Sequence, residues 1–422
     1  MKPFPSNFLF GAALGAHQTD GGDDGSDWFY WEQRPTRIHD GSTSEEGAGH
    51  WEAASEDLML ASRLGMNALC LSLSWSRIQP EPEVFDEAVL NHYHKVFTDA
   101  ARLNLTVVAI LYQTALPRWM AERGGWEWEE APEHFAAYVR KVMERLADEC
   151  RHWIPLYEAE YLLSRLCHEK HWPGSGRGAR RHERLRRNLV AAQCEAARVI
   201  RELCPEGVVG VSVRATPVEA WDRHSPWDQA VAEKEQDRLN SRFLKELLSS
   251  EKDDNTDFIA MSYYGALRLR FALSRFRESF ALPVDEKGRA VDLDDLTPSL
   301  AGFEEILLLL SSFKKPIHIT GIGVATDDDV ERCRFIESHV STLLHALHSM
   351  EPDLNIGGLF YSHFLDGFEW HHGYSRRYGL VHVKRPGMER TPNPSAWLWK
   401  EIADHGMLRP GTAEKYCGDT EQ

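Results

Sequence analysis

The chain has 422 residues, 42% hydrophobic and 27% charged, with a formal net charge of −17. That balance is ordinary for a globular enzyme, while the acidic excess argues against nucleic acid or an anionic membrane surface as partner, since both need basic faces. The seven cysteines (70, 150, 167, 194, 204, 333 and 417) are odd in number and include no CxxC pair, which points to reduced thiols in the cytoplasm rather than a disulfide frame or a zinc site.

In chain order, "MKPFPSNFLFGAALG" has no basic segment followed by a long apolar core. It reads as the start of the domain, with a strand over 9–13, and not as a signal peptide. Helical patterns then alternate with apolar strand-like runs. A helix over 53–64 precedes a strand over 67–73, 87–103 precedes 106–112, and 132–149 precedes 153–157. A polar, basic loop over 172–185 leads to a helix over 187–203 and a strand over 208–213, and the pattern 229–249 leads to 258–263. A long connection over 265–300 is expected to form a rim, after which 301–313 and 329–349 are helices and 316–320 and 358–361 strands. Eight strands interleaved with helices predict one (β/α)₈ TIM barrel spanning 1–422 as a single α/β domain, with 405–422 as a loose tail. No GxGxxG follows the first strand, which disfavours an open doubly wound sheet. No apolar run approaches the roughly 18 residues that cross a bilayer. "HEKH" at 168–171 lacks the HExxH spacing and reads as a loop, so no metal site and no cofactor is expected.

Chemistry in such barrels sits at the C-terminal strand ends, and those ends resemble one family. "FLFGAALGAHQTDGG" (8–22), "LCLSLSWSRIQP" (69–80), "LYQTALP" (111–117), "WIPLYEAE" (153–160), "SYYG" (262–265), "PIHITGIG" (316–323) and "HFLDGFEWHHGYSRRYGLVHV" (363–383) resemble, in order, the motifs of glycoside hydrolase family 1, the β-glucosidase family. The resemblance implies a small-molecule β-glycoside as partner and two carboxylates, an acid/base on strand four and a nucleophile on strand seven. Glu158 falls at the acid/base position. The nucleophile position is Gly321, and the arginine that accompanies the nucleophile on strand two is Cys70. An arginine there would be an unpaired charge once its carboxylate is gone, so the two losses are coherent.

The sugar subsite departs from the pattern as well. Gln113 stands for the strand-three histidine, Tyr157 for the asparagine before the acid/base, Ser262 for the asparagine of "NYYT" and Ser362 for a tryptophan. Gln18, Tyr264, Glu369 and Trp370 are retained, and the resemblance makes Gln18, Glu369 and Trp370 hydroxyl-binding residues, a task suited to an amide, a carboxylate and an indole. Glu160 is a register rival for Glu158, and Asp327, Asp328 and Asp329 are the nearest carboxylates after Gly321, with the character of a helix start. His371 and His372 read as exposed. Three functions remain open: a β-glycoside-acting enzyme with an altered mechanism, for which Tyr264, Tyr157 and Asp20 are candidate bases; a carbohydrate-binding protein without turnover; and a transferase using an activated donor.

Overall fold

The computed structural model describes residues 3–168, 172–176, 178–248, 255–278, 280–349, 354–409 and 411–417. The eight expected strands close into one parallel barrel: Leu9–Leu14, Ala68–Ser72, Thr106–Tyr112, His152–Leu156, Val208–Arg214, Phe258–Tyr263, Ile317–Ile322 and Ile356–Tyr361. Each pairs in parallel with its neighbours, and the first strand closes the ring by pairing with both the second and the eighth. Parallel strands buried on both faces read as near-continuous apolar runs, which is why they were visible in the sequence.

The barrel interior is packed rather than open. Ala13, Ala68 and Ala260 sit against Phe258 and Phe360, with Cys70, Val108, Ile110, Ile154 and Tyr157 filling the same cluster. Small residues beside large ones let successive layers interlock. Helices form the outer shell, and their starts follow local capping chemistry. Asp86, for example, accepts bonds from the backbone amides of Ala88 at 2.8 Å and Val89 at 3.1 Å and so opens the helix Glu87–Arg102.

The rim carries structure that periodicity did not reveal. A three-stranded sheet of Val218–Ala220, Leu267–Phe271 and Ala281–Pro283 organises the connection after the sixth strand. A helix, Ala159–His168, follows the fourth strand directly, and the helix expected from residue 187 begins at Ala179, inside the stretch read as a loop. In the segment expected as a loose tail, Thr412–Cys417 is helical, tied to Glu401 by the Tyr416 hydroxyl at 2.9 Å and by Lys415 at 2.8 Å. Of "HEKH", 169–171 lie outside the described residues.

Candidate active site

The tip of the seventh strand is irregular. Ile319 lies opposite Met261 and Gly321 opposite Ser262, so one extra residue is accommodated at Thr320. Against the eighth strand the same insertion separates the pairs Ile319–Leu359 and Ile322–Tyr361. Such bulges re-aim side chains near active sites. Gly321 is not among the positive-φ glycines, so its backbone does not require glycine. A Cβ built on it would lie 2.7 Å from Ser362 Oγ, 3.1 Å from the Tyr264 hydroxyl and 3.2 Å from the Tyr157 hydroxyl. Any side chain at 321 would therefore enter a cage of hydroxyls.

Burial pushes the Tyr157 and Tyr264 phenols well above their ordinary value, reinforced by the nearby carboxyl of Glu158. That direction favours the protonated phenol at both positions. Asp20 is buried beside His50, Arg77 and Asp23, where burial pushes it up to about 6, and it does not line the cavity.

Glu158 follows the fourth strand with φ of +51°, in the left-handed region that costs a non-glycine residue about 1–3 kcal/mol and recurs at functional sites. Its backbone amide donates to Ser212 Oγ at 3.1 Å, and its carbonyl accepts from Leu162 N at 2.9 Å to start the next helix. The carboxyl accepts from the Ser262 hydroxyl and lies 3.8 Å from Arg214 Nη1. Burial is the largest influence and raises its pKa; Arg214 and Ser262 oppose the rise, and the result remains raised. A raised pKa favours the acid form, the form that general acid catalysis needs beside a cavity.

Arg214 was missed by one residue, because the fifth strand runs past Val213 to deliver it. It lies 3.2 Å from Asp294 Oδ1, and its guanidinium sits 4.0 Å from the Tyr161 ring centroid and 4.8 Å from that of Tyr264. Asp294 comes from the rim connection. It accepts from the Tyr161 hydroxyl at 2.6 Å and forms an ion pair with Arg165 at 2.5 Å. Burial alone would raise its pKa, but Arg165 and Arg214 outweigh it and hold the carboxylate well below its usual range.

On the opposite wall Gln18 Nε2 donates to Glu369 Oε2 at 3.0 Å, and Gln113 Nε2 donates to Gln18 Oε1 at 3.1 Å. His363, which the sequence reading passed over, has Nε2 3.3 Å from Gln18 Nε2 and 3.6 Å from Glu369 Oε1. One Glu369 oxygen has no hydrogen-bond partner. Trp370 stacks on the His17 imidazole, centroids 5.4 Å apart and planes 8° from parallel. Gln18, Gln113, Tyr157, Glu158, Tyr264, Glu369 and Trp370 thus line one cavity with Arg214, Asp294 and His363, and Gly321 lies behind its hydroxyls. Its volume is about 70 Å³, small beside the roughly 300–1,000 Å³ of most ligand pockets, so side chains must shift to admit a sugar ring. A larger space of about 390 Å³ adjoins it, sharing Tyr264, Asp294, Arg376 and Tyr378.

The rival carboxylates stand elsewhere. Glu160 is buried in the next helix, 3.6 Å from Arg238, and burial raises it to about 7. Asp327 is exposed and pairs with Arg377 at 3.3 Å, Asp328 accepts from Val330 N at 2.9 Å at the helix start, and Asp329 holds Ser395. His371 and His372, read as exposed, are buried at 2% and 7%. The turn that follows Glu369 folds them under His39, whose ring packs edge-on against both.

The family model for glycosyl hydrolase family 1 matches residues 1–261 and 252–407. Beta-glucosidase A of Thermotoga maritima is 25% identical, covering 97% of this chain and 99% of its own length. A human lactase/phlorizin hydrolase is 24% identical, covering 98% of this chain and 25% of its own length. Among solved structures, a Thermotoga maritima beta-glucosidase in complex with glucoimidazole superposes with a TM-score of 0.88 at 22% identity, covering 97% of this chain and 100% of that one. A beta-glycosidase from Pyrococcus horikoshii gives 0.88 at 26% identity, covering 98% of each chain. With the motifs in order on a closed eight-stranded barrel and the family model running across nearly the whole chain, this protein belongs to glycosyl hydrolase family 1.

Proposed function

We propose that the chain is a glycosidase-type enzyme acting on β-glycosides, with Glu158 as proton donor and an external nucleophile in the place of a strand-seven carboxylate. The observation that carries this reading is Gly321: a bulged strand tip aimed at the cavity, with three neutral hydroxyls around its Cβ direction. Of the cavity's other carboxylates, Asp294 is held by Arg165, Arg214 and Tyr161, and Glu369 accepts from Gln18 through one of its oxygens. Water attacking from the Gly321 side would need a base, and both tyrosines there favour the protonated phenol. An anion brings its own electron pair and needs no base, and hydroxyl donors suit it.

Cys70, Cys150, Cys167, Cys194 and Cys204 are thiols outside any disulfide, and no helix of the described residues is long and apolar enough to cross a membrane. Both are consistent with a cytoplasmic location, which we include in the proposal.

The test is incubation of an aryl β-glucoside with sodium azide, with products followed by NMR. Azide bonds to C1 from the Gly321 side, the C1–O bond breaks, and the departing aryl oxygen takes the Glu158 proton, giving an α-glycosyl azide. Binding of the glycoside without adduct or hydrolysis would instead establish the carbohydrate-binding reading. A β-configured product would refute the direction of attack.

A further inference from the structure

Beside the cavity, one group of side chains has the makings of a cation site that the glycosidase reading does not use. Asp294, His371 and His372 each place one ligating atom so that all lie within 4.8 Å of one another. His372 Nε2 is 3.9 Å from Asp294 Oδ2, and His371 Nε2 is 3.8 Å from Asp292 Oδ2. His371 is 2% exposed, and neither of its ring nitrogens has a hydrogen-bond partner; His372 Nε2 has none either. Buried polar atoms normally find partners, so unsatisfied imidazole nitrogens converging on a carboxylate call for one.

We propose that Asp294, His371 and His372 bind a divalent transition-metal ion of the zinc class at the cavity rim. Two imidazoles and a carboxylate are a donor set suited to zinc, and three protein ligands are the usual number where a fourth position stays open. Asp294 and His372 both line the cavity, so that position faces it.

Zinc bonds of about 2.0–2.1 Å in a tetrahedron put ligand atoms roughly 3.3–3.5 Å apart, which modest side-chain rotation supplies. His39, edge-on to both rings at 5.1 and 5.0 Å, limits how far they swing. The chief obstacle is Arg165, 2.5 Å from Asp294 Oδ2. Arg165 also holds Asp292 at 3.1 Å, so it keeps a carboxylate partner when Asp294 turns to the ion. Arg165, Arg214 and Arg376 are matched by Asp292, Asp294 and Asp295, and Glu369 faces the same cavity. The formal charge there does not repel a cation. The ion would join the rim connection bearing Asp294 to the turn after the eighth strand.

The experiment is calorimetric titration of the full chain with zinc chloride after dialysis against chelator, with cobalt(II) absorption recorded in parallel. One ion per chain is expected, with tetrahedral nitrogen-ligated cobalt absorption. His371→Ala and His372→Ala should each weaken affinity at least tenfold, whereas replacing the exposed His224 as His224→Ala should leave it unchanged. Absence of stoichiometric zinc binding and of that absorption in the native chain overturns the proposal, whether or not the variants fold. Unchanged affinity in both His371 and His372 variants overturns it equally. Neither readout involves sugar turnover, so failure here leaves the glycosidase reading intact, and the reverse.

Discussion

Placing a carboxylate on strand seven requires more than Gly321→Glu, and the structure sets the terms. Cys70 is fully buried among Ala13, Ala68, Val108 and Ile110, in the same cluster as Tyr157. Cys70→Arg alone would overpack that cluster, at about 1–3 kcal/mol, and strand a buried charge, at about 3–5 kcal/mol. Together these approach the roughly 5–15 kcal/mol that holds a typical domain folded. The tyrosine occupies room where the family has an asparagine, so the cycle is best run with Tyr157→Asn in all four proteins. Gly321→Glu meets a milder environment. Ser362 Oγ, 2.7 Å from the built Cβ, must rotate, and the hydroxyls that remain can donate to a carboxylate, each bond contributing about 1.5–3 kcal/mol. With both changes present the carboxylate and guanidinium pair, and a coupling of about 1–3 kcal/mol is expected, as for other contacting residues. Urea unfolding of the four proteins measures it in stability, and initial rates on 2,4-dinitrophenyl β-glucoside measure it in turnover. Effects additive within about 0.5 kcal/mol in both would mean that positions 70 and 321 do not communicate, and the coupled-loss argument fails.

Glu158→Gln should lower turnover of poor-leaving-group substrates by about 10²–10⁴-fold while good leaving groups suffer less, seen by comparing phenyl and dinitrophenyl glycosides. Arg214 lowers the Glu158 pKa against burial; Arg214→Leu removes that opposition, so the acid form persists to higher pH and the alkaline limb of kcat/KM moves upward. A limb that moves downward or stays fixed would remove Arg214 from the proton donor's environment. Burial alone would lower the His17 pKa, but Asp23 and Glu32, at 4.0 and 3.6 Å, raise it to about 9 from 6.5. Its contribution, at most roughly 3 kcal/mol, is complete below pH 6.5 and disappears as pH rises through 9. Thermal unfolding across that window should therefore fall more steeply for the wild type than for His17→Gln.

The barrel was legible because doubly buried strands announce themselves as apolar runs, and the tips of strands four, seven and eight carried motif residues in order. What escaped had a physical reason in each case. Arg214 ends an apolar run, and a boundary drawn at Val213 discards the one residue that matters; reading a residue further would have found it. Asp294 reaches the cavity from the connection beyond the rim sheet, a tertiary arrangement without local periodicity. His371 and His372 look solvated because neighbouring polar residues usually are, yet burial under His39 depends on a segment more than 300 positions away. Glu160 shares its local motif with Glu158, and only the helix that begins at Ala159 separates a cavity acid from a helix-packing one.

The extra residue at Thr320 has a consequence for what faces the cavity. In a strand, side chains alternate from face to face, and an inserted residue resets that count. Here the reset lets Gly321 stand opposite Ser262, whose hydroxyl reaches Glu158, while the Thr320 hydroxyl points to the Met261 carbonyl at 3.4 Å. An even ladder would bring residue 320 opposite Ser262. The group presented to a bound sugar is therefore governed by parity as much as by residue type: the same sequence without the bulge would offer a threonine hydroxyl where this one offers a bare α-carbon.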